Sequence, residues 1–246
     1  VYIWDMDETL ILLKSLLDGT YAEAFGGSKD VQKGIEIGKR WEKHILQVCD
    51  EYFFYEQVEN YNEPFLDALS EYDDGRDLSD YDFSKDGFDN PNKRKLAYRH
   101  RLIAQKYAQG LHSALNQETI KLWDDLYDLT DSYTDKWLST ARAFLEQKNL
   151  NVLVTSGSLI PSLVKCLLFR LDNLLVYSSW EVGKHQCFSW IKDRYPGVRF
   201  CVIGDGWEEC EAAQRMRWPF IRIDPQSHRF PGLTMKTVNH YIDVVY

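Results

Sequence analysis

At 246 residues with 44% hydrophobic content, the chain has enough apolar material for a full core, either as one large domain or as a core carrying an inserted module. Its net charge of −9 is concentrated, because residues 56–92 hold twelve acids against only Arg76 and Lys85 and the remainder is close to neutral. No basic stripe of the kind that tracks a phosphate backbone is present, which disfavours direct nucleic-acid binding, and no run reaches the roughly 18 apolar residues of a membrane span. The start also lacks a basic region ahead of its apolar residues, so it does not read as a signal peptide, and a soluble chain is expected.

Residues 1–5, V-Y-I-W-D, read as a short buried strand, from which a domain cut from a longer protein is expected. Asp5 and Asp7 follow at once. In isolation a turn or a helix cap accounts for such a pair as well as chemistry does. The next strand pattern, N-V-L-V-T, comes only at 151–155. Between them Ile35, Trp41, Ile45, Val48 and Tyr52 recur at helical spacing within 28–55, and the segments 93–115 and 117–148 behave similarly. The acidic stretch joining the first two carries Pro64, Gly75, Gly87 and Pro91, a composition that predicts a solvated loop. Residues 15–148 are therefore expected to form an inserted helical cap, with 1–14 and 149–246 making the core. After Val152, strands alternate with helices: N-V-L-V-T, a helix near 158–171, L-L-V-Y-S, a helix near 184–195, R-F-C-V-I-G-D, a helix near 207–217, then F-I-R-I. That alternation predicts a parallel α/β sheet, whose ligands bind beyond the carboxyl ends of the strands.

Four groups fall at those strand ends: Asp5 and Asp7, then Thr155 and Ser156, then Lys184 at the head of a helix, then Asp205 within V-I-G-D-G-W-E-E. Each has an ordinary explanation, as an N-cap, a solvated charge or a turn residue, and Glu208 and Glu209 suit the first turn of any helix. Their convergence on one sheet edge is what favours chemistry. A carboxylate attacking a phosphate dianion meets like-charge repulsion, so such a site needs a cation and a lysine to neutralise the growing charge.

The D-M-D-E-T after the first strand, the Thr/Ser pair, the Lys, and Gly204, Asp205 and Glu209 in a G-D-x-x-x-[DE] pattern resemble the four motifs of the haloacid dehalogenase superfamily. More specifically, W-D-M-D-E-T, S-L-L-D-G-T-Y-A, K-D-G-F, L-T-D-S-Y-T-D-K-W-L, V-L-V-T-S-G-S-L-I-P-S-L, G-K-H-Q-C-F and V-I-G-D-G-W-E-E resemble the Eyes Absent domain along nearly its whole length. The resemblance implies a Rossmann-like parallel sheet of the haloacid dehalogenase type with an inserted helical cap. It implies a magnesium-dependent protein tyrosine phosphatase that works through an aspartyl phosphate. Asp5 would be the nucleophile, Asp7 the acid and then base, and Lys184 the charge bridging phosphate and nucleophile. Thr155, or second to it Ser156, would bind the phosphate, and Thr9 would fix the turn or the Asp5 carboxylate. Magnesium would be held by Asp5, the backbone carbonyl of Asp7 and Asp205, with Glu209 orienting a water and Glu208 its rival. The resemblance also implies docking to homeodomain transcription factors of the Six type and a place in nucleus and cytoplasm. Cys210, which interrupts the acid run after G-D-G, and a short loop after K-D-G-F depart from the animal pattern of the family.

Other chemistries are excluded by inspection. The cysteines Cys49, Cys166, Cys187, Cys201 and Cys210 are odd in number with no C-x-x-C, which argues against a disulfide framework or zinc knuckle and for a reducing, intracellular compartment. A cysteine phosphatase needs C-x5-R, yet the residues six positions on are Tyr55, Asp172, Asp193, Trp207 and Met216. The P-loop, G-x-G-x-x-G and H-E-x-x-H patterns are missing too. A small-metabolite phosphatase of the same superfamily, or a module serving mainly to bind transcription factors, remain the competing expectations. Trp41, Trp123, Trp137 and Phe144 are expected to pack inward rather than form such a docking surface.

Overall fold

The computed structural model describes residues 1–113, 115–147, 150–171, 174–223 and 235–246. Among them, five strands form one all-parallel sheet: β1 (Tyr2–Trp4), β2 (Asn151–Thr155), β3 (Leu175–Ser178), β4 (Cys201–Gly204) and β5 (Phe220–Arg222), in the order β3-β2-β1-β4-β5. Their near-continuous apolar sequences suit strands buried on both faces. Ile3 of β1 lies opposite Val152 of β2 on one side and Val202 of β4 on the other. The chain thus builds outward from β1 through β2 and β3, then returns to build the other way through β4 and β5. The strand order reverses at β1, and a crevice opens at the carboxyl ends there, the general place for a ligand in an open α/β sheet.

Alternate residues of each strand serve opposite faces. Ile3, Val152, Val154 and Val202 pack with Phe188 and Ile191 of α9 (Lys184–Arg194) and with Ala212 and Ala213 of α10 (Trp207–Met216). Trp4, Leu153, Ile203 and Ile221 face the other way, into a larger cluster shared with α8 (Leu159–Leu168) and with the helices between β1 and β2. Those helices are α1 (Leu13–Leu17), α2 (Thr20–Glu23), α3 (Val31–Phe53), α4 (Tyr55–Val58), α5 (Lys93–Gln109), α6 (Gln117–Tyr133) and α7 (Trp137–Leu145). Trp41 of α3 packs on Phe169 with ring centres 4.2 Å apart, and Trp4 meets Phe144 of α7 edge-on at 5.3 Å, so apolar packing runs without a break from sheet to insert. Trp41, Trp123, Trp137 and Phe144 are all buried. α3 passes so close to α1 that a Cβ on Gly38 would lie 2.9 Å from the backbone nitrogen of Leu17.

Several features differ from the periodicity reading, among them α5, which stops at Gln109 rather than at the expected 115. The segment 117–148 is two helices, broken where Asp135 and Lys136 adopt left-handed backbone (φ 53° and 68°). The break is held by Asp131, whose carbonyl accepts the Lys136 N–H at 2.7 Å and whose carboxylate accepts the Ser139 N–H at 2.9 Å. The acidic stretch is mostly irregular, with carboxylates of Asp73, Asp74, Asp77 and Asp82 each accepting a backbone N–H two residues on, but Asp86 is buried. A further helix, α11 (Met235–Val245), follows the last strand with no counterpart among the sequence expectations. The expected boundary between cap and core at 148–149 lies outside the described residues. No helix among the described residues is long and apolar enough to cross a membrane.

Candidate active site

The loop after β1 is wound tightly: the N–H groups of Thr9, Leu10 and Ile11 all point to the Met6 carbonyl, and Glu8 takes a positive φ of 60°, a conformation costly for a side chain with a Cβ. This winding leaves Asp5 at the strand's end, buried to 8% exposure. The Lys184 ammonium, at the first position of α9, reaches across to it, with Nζ 2.6 Å from Asp5 Oδ1. The same nitrogen lies 2.7 Å from Glu209 Oε2. Glu209 is the third residue of α10, and its other oxygen accepts the Gly206 N–H, so the side chain curls back over the helix start. Glycine is required beneath it, since a Cβ on Gly204 would fall 2.6 Å from Glu209 Oε1.

Asp205 closes the group. Oxygens of Asp5, Asp205 and Glu209 lie within 4.8 Å of one another, and the Thr9 hydroxyl, fully buried, donates to Asp205 Oδ1 at 3.3 Å. One ammonium thus faces three carboxylates. Burial pushes Asp5 up to about 7; Lys184 opposes the shift, and Glu209 and Asp205 add to it. Asp205 is raised for the same reasons, burial first and Glu209 next. Burial also disfavours ionised Glu209, but Lys184 and the backbone N–H groups outweigh it and hold the group below the usual range. Lys184 is the mirror case: burial favours its neutral form, yet Asp5 and Glu209 keep its pKa above the ordinary value. Such a cluster can present a nucleophilic carboxylate and a fixed positive charge to one incoming anion, and its hard oxygen donors suit a small divalent cation.

The second strand's end lies beside it. Thr155 is buried, its Oγ1 accepting the Gly157 N–H at 3.2 Å, so the hydroxyl proton remains available to an acceptor. Ser156 is exposed and donates to Glu208 at 3.1 Å. Of the two rival glutamates, therefore, Glu209 joins the buried cluster and Glu208 stays on the rim. Asp7 stands apart from Lys184: both its oxygens accept from Lys165 Nζ on α8, at 2.8 and 3.0 Å.

Lys165 is absent from the motif reading, although a lone charge within the otherwise apolar L-I-P-S-L-V-K-C-L-L was a signal for it. The support of the Thr155 loop gave no such signal. Ser178 Oγ donates to the Gly157 carbonyl at 2.7 Å, and Ser179 donates to the Thr155 carbonyl through both its N–H (2.8 Å) and its hydroxyl (3.0 Å). From the insert, Asn62 accepts the Leu159 N–H at 2.8 Å and donates to Ser178 Oγ at 3.3 Å. Cys49, Cys187 and Cys201 offer no rival nucleophile, since burial pushes each up to about 12.

Compared with known proteins, the chain is 60% identical over 277 residues to protein phosphatase EYA of Arabidopsis thaliana, a match covering 100% of the chain and 90% of that protein. It is 34% identical over 256 residues to protein phosphatase EYA2 of Homo sapiens, covering 91% of the chain and 47% of the relative. With protein phosphatase eya of Drosophila melanogaster it shares 34% over 260 residues, covering 92% and 34%. The chain therefore spans about half or less of these two animal relatives. No protein-family model matches it.

Proposed function

The chain belongs to the Eyes Absent family of protein phosphatases, with the α/β architecture of the haloacid dehalogenase type, and from that premise we propose that it hydrolyses phosphotyrosine in proteins through an aspartyl phosphate on Asp5, with magnesium as cofactor. The observation that carries this reading is the buried Lys184 ammonium lying 2.6 Å from Asp5 and 2.7 Å from Glu209, with Asp205 alongside. The donor set fits magnesium: all carboxylate, hard, and outnumbering its single ammonium. Asp5, the Asp7 carbonyl and Asp205 would hold the ion, and Glu209 would orient a water. When bound, the ion lowers the repulsion between the Asp5 carboxylate and the phosphate dianion.

The chain's own groups then divide the work. An Asp5 oxygen bonds to phosphorus as the bond to the phenolic oxygen breaks, and Asp7 gives that oxygen a proton. In the second half, water attacks the phosphorus, Asp7 takes its proton, and the Asp5–phosphate bond breaks to release inorganic phosphate. Lys184 stabilises the charge on the transferring group, and the Thr155 hydroxyl donates to one of its oxygens. For Asp7 to act, one of its two bonds to Lys165 has to be given up. The insert, 15–148, would serve as the cap that selects substrates.

Phosphate release from a phosphotyrosine peptide, followed with magnesium and again in excess EDTA, tests the proposal. Turnover that is abolished by the chelator and restored by magnesium is expected; undiminished turnover in EDTA removes the metal, and phosphate label recovered on a cysteine or histidine removes Asp5 as nucleophile.

A further inference from the structure

A cleft of about 670 Å³ begins where the cluster ends. Its lining includes Lys184, whose ammonium touches Asp5, with Ser156 and Glu208 beside it, the first turn of α9 and one face of α10 as far as Arg215. Glu208 and Arg215 are seven positions apart on one helix, which at 1.5 Å per residue makes the trough about 10 Å long. A phenyl ring does not fill that length. An extended peptide advances ~3.3 Å per residue, so the trough matches about three residues of extended chain.

The loop between β3 and α9 provides the other wall, and it is apolar where solvent would favour polarity. Trp180 is 66% exposed and Val182 39%, and both line the cleft. The loop is tied at this point, the backbone N–H of Trp180 donating to Ser178 Oγ at 3.4 Å, the hydroxyl that supports the Gly157 carbonyl. An exposed indole on a supported loop beside a reactive centre offers a flat surface that a ligand side chain covers at little entropic cost. The far end carries Arg215 paired with Glu211 at 2.6 Å, an exposed pair that is weak and easily rearranged.

We propose that this trough binds the peptide chain flanking the phosphorylated residue, in extended form, with an apolar side chain next to the phosphotyrosine resting on Trp180. The occupant follows from continuity: a substrate whose phosphate reaches Lys184 and Asp5 has its neighbouring residues at the mouth of this cleft. The inference rests on the proposed tyrosine phosphatase reading and assigns its peptide specificity to Trp180.

The test compares kcat/KM of wild type, Trp180→Ala and Trp207→Ala on a seven-residue phosphotyrosine peptide with apolar neighbours, the same peptide with glycine neighbours, and p-nitrophenyl phosphate. Trp207 is 73% exposed but does not line the cleft, so Trp207→Ala is the control and loses less than about twofold on the peptide. Trp180→Ala is expected to lower kcat/KM for the apolar peptide about tenfold more than for p-nitrophenyl phosphate, mainly through KM, and to erase the preference over the glycine peptide. Trp180→Phe restores most of it. Equal losses on peptide and nitrophenyl ester, or no loss on either, overturn the trough while leaving the phosphatase reading intact. Wild type that turns over the nitrophenyl ester but neither peptide overturns the reading itself, and the trough with it.

Discussion

Two clusters of buried charge among the described residues, one in the insert and one at the sheet edge, are composed in opposite proportions. In the insert, Asp86 meets Arg99 at 3.1 Å and Lys95 at 2.9 Å and accepts the Tyr81 hydroxyl at 2.8 Å. Burial pushes that carboxyl up, but Lys95, Tyr81 and Arg99 together outweigh it and hold it below the usual range. At the sheet edge the proportion is inverted, with three carboxylates around one ammonium and Asp5 raised to about 7. A cluster with cations in excess of its anion is complete and serves the fold. One with anions in excess leaves charge that a bound proton or, under the proposed function, a cation would offset, which suits a site better than a brace.

The sharpest way to break the contrast is Asp5→Asn. Removing the proposed nucleophile should lower kcat by about 10⁴-fold or more. It should also raise the melting temperature of the metal-free protein at pH 8, because Asp5, raised to about 7, is ionised there against burial and the charges of Glu209 and Asp205, which Lys184 offsets only in part. A drop in melting temperature would place Asp5 among the structural pairs. Next in size is Lys184→Ala, expected to slow phosphoryl transfer by roughly 10²- to 10³-fold in single-turnover kinetics; an unaltered rate would leave Lys184 with a structural role only.

The insert cluster should respond in the opposite currency. Arg99, 2% exposed, leaves Asp86 short of its closest buried cation when replaced by Met, and urea titration is expected to register a loss of about 3 kcal/mol or more. The folded fraction should keep kcat within about threefold. A large kcat loss with unchanged stability would join the two clusters functionally.

The smallest effect concerns pH. Burial lowers His100, on α5, to about 4 against an ordinary 6.5. The unfolded chain therefore takes up a proton below pH 6.5 that the folded chain refuses until about pH 4. This contribution is intact above 6.5 and lost progressively down to 4, to a total of ~3 kcal/mol. The slope of stability between those values should flatten in His100→Gln, measured against wild type by denaturation at successive pH. Asp5 titrates with the opposite sign, since its raised pKa lets the folded state bind the proton first.

Much of the candidate site's composition is legible in the sequence. Asp5, Thr155 and Asp205 stand at or just past a strand's end and Lys184 heads the helix after another, and the apolar runs that mark strands are local in sequence, as is the G-D-G that lets Glu209 curl back. Helix periodicity also located α3, and the strand–helix alternation α8 to α10, within a few residues, whereas α5 ends at Gln109, six residues before the expected 115. Periodicity failed at Thr134–Lys136, because the break depends on left-handed backbone stabilised by Asp131 rather than on any loss of apolar spacing.

What only the folded chain decided is which side chains meet. Glu209 and Glu208 are adjacent and chemically alike, and the turn of α10 sends one into the cluster and the other to Ser156. Lys165 finds Asp7 from 158 residues away, Asn62 reaches from the insert to the head of α8, and Asp86 finds Arg99 inside a stretch whose composition predicts only solvated loop. Residue chemistry and periodicity are properties of a segment and can be read along it. Contacts between segments depend on the register of the sheet and the packing of helices against it, and these arise only when distant parts of the chain bury their apolar faces together.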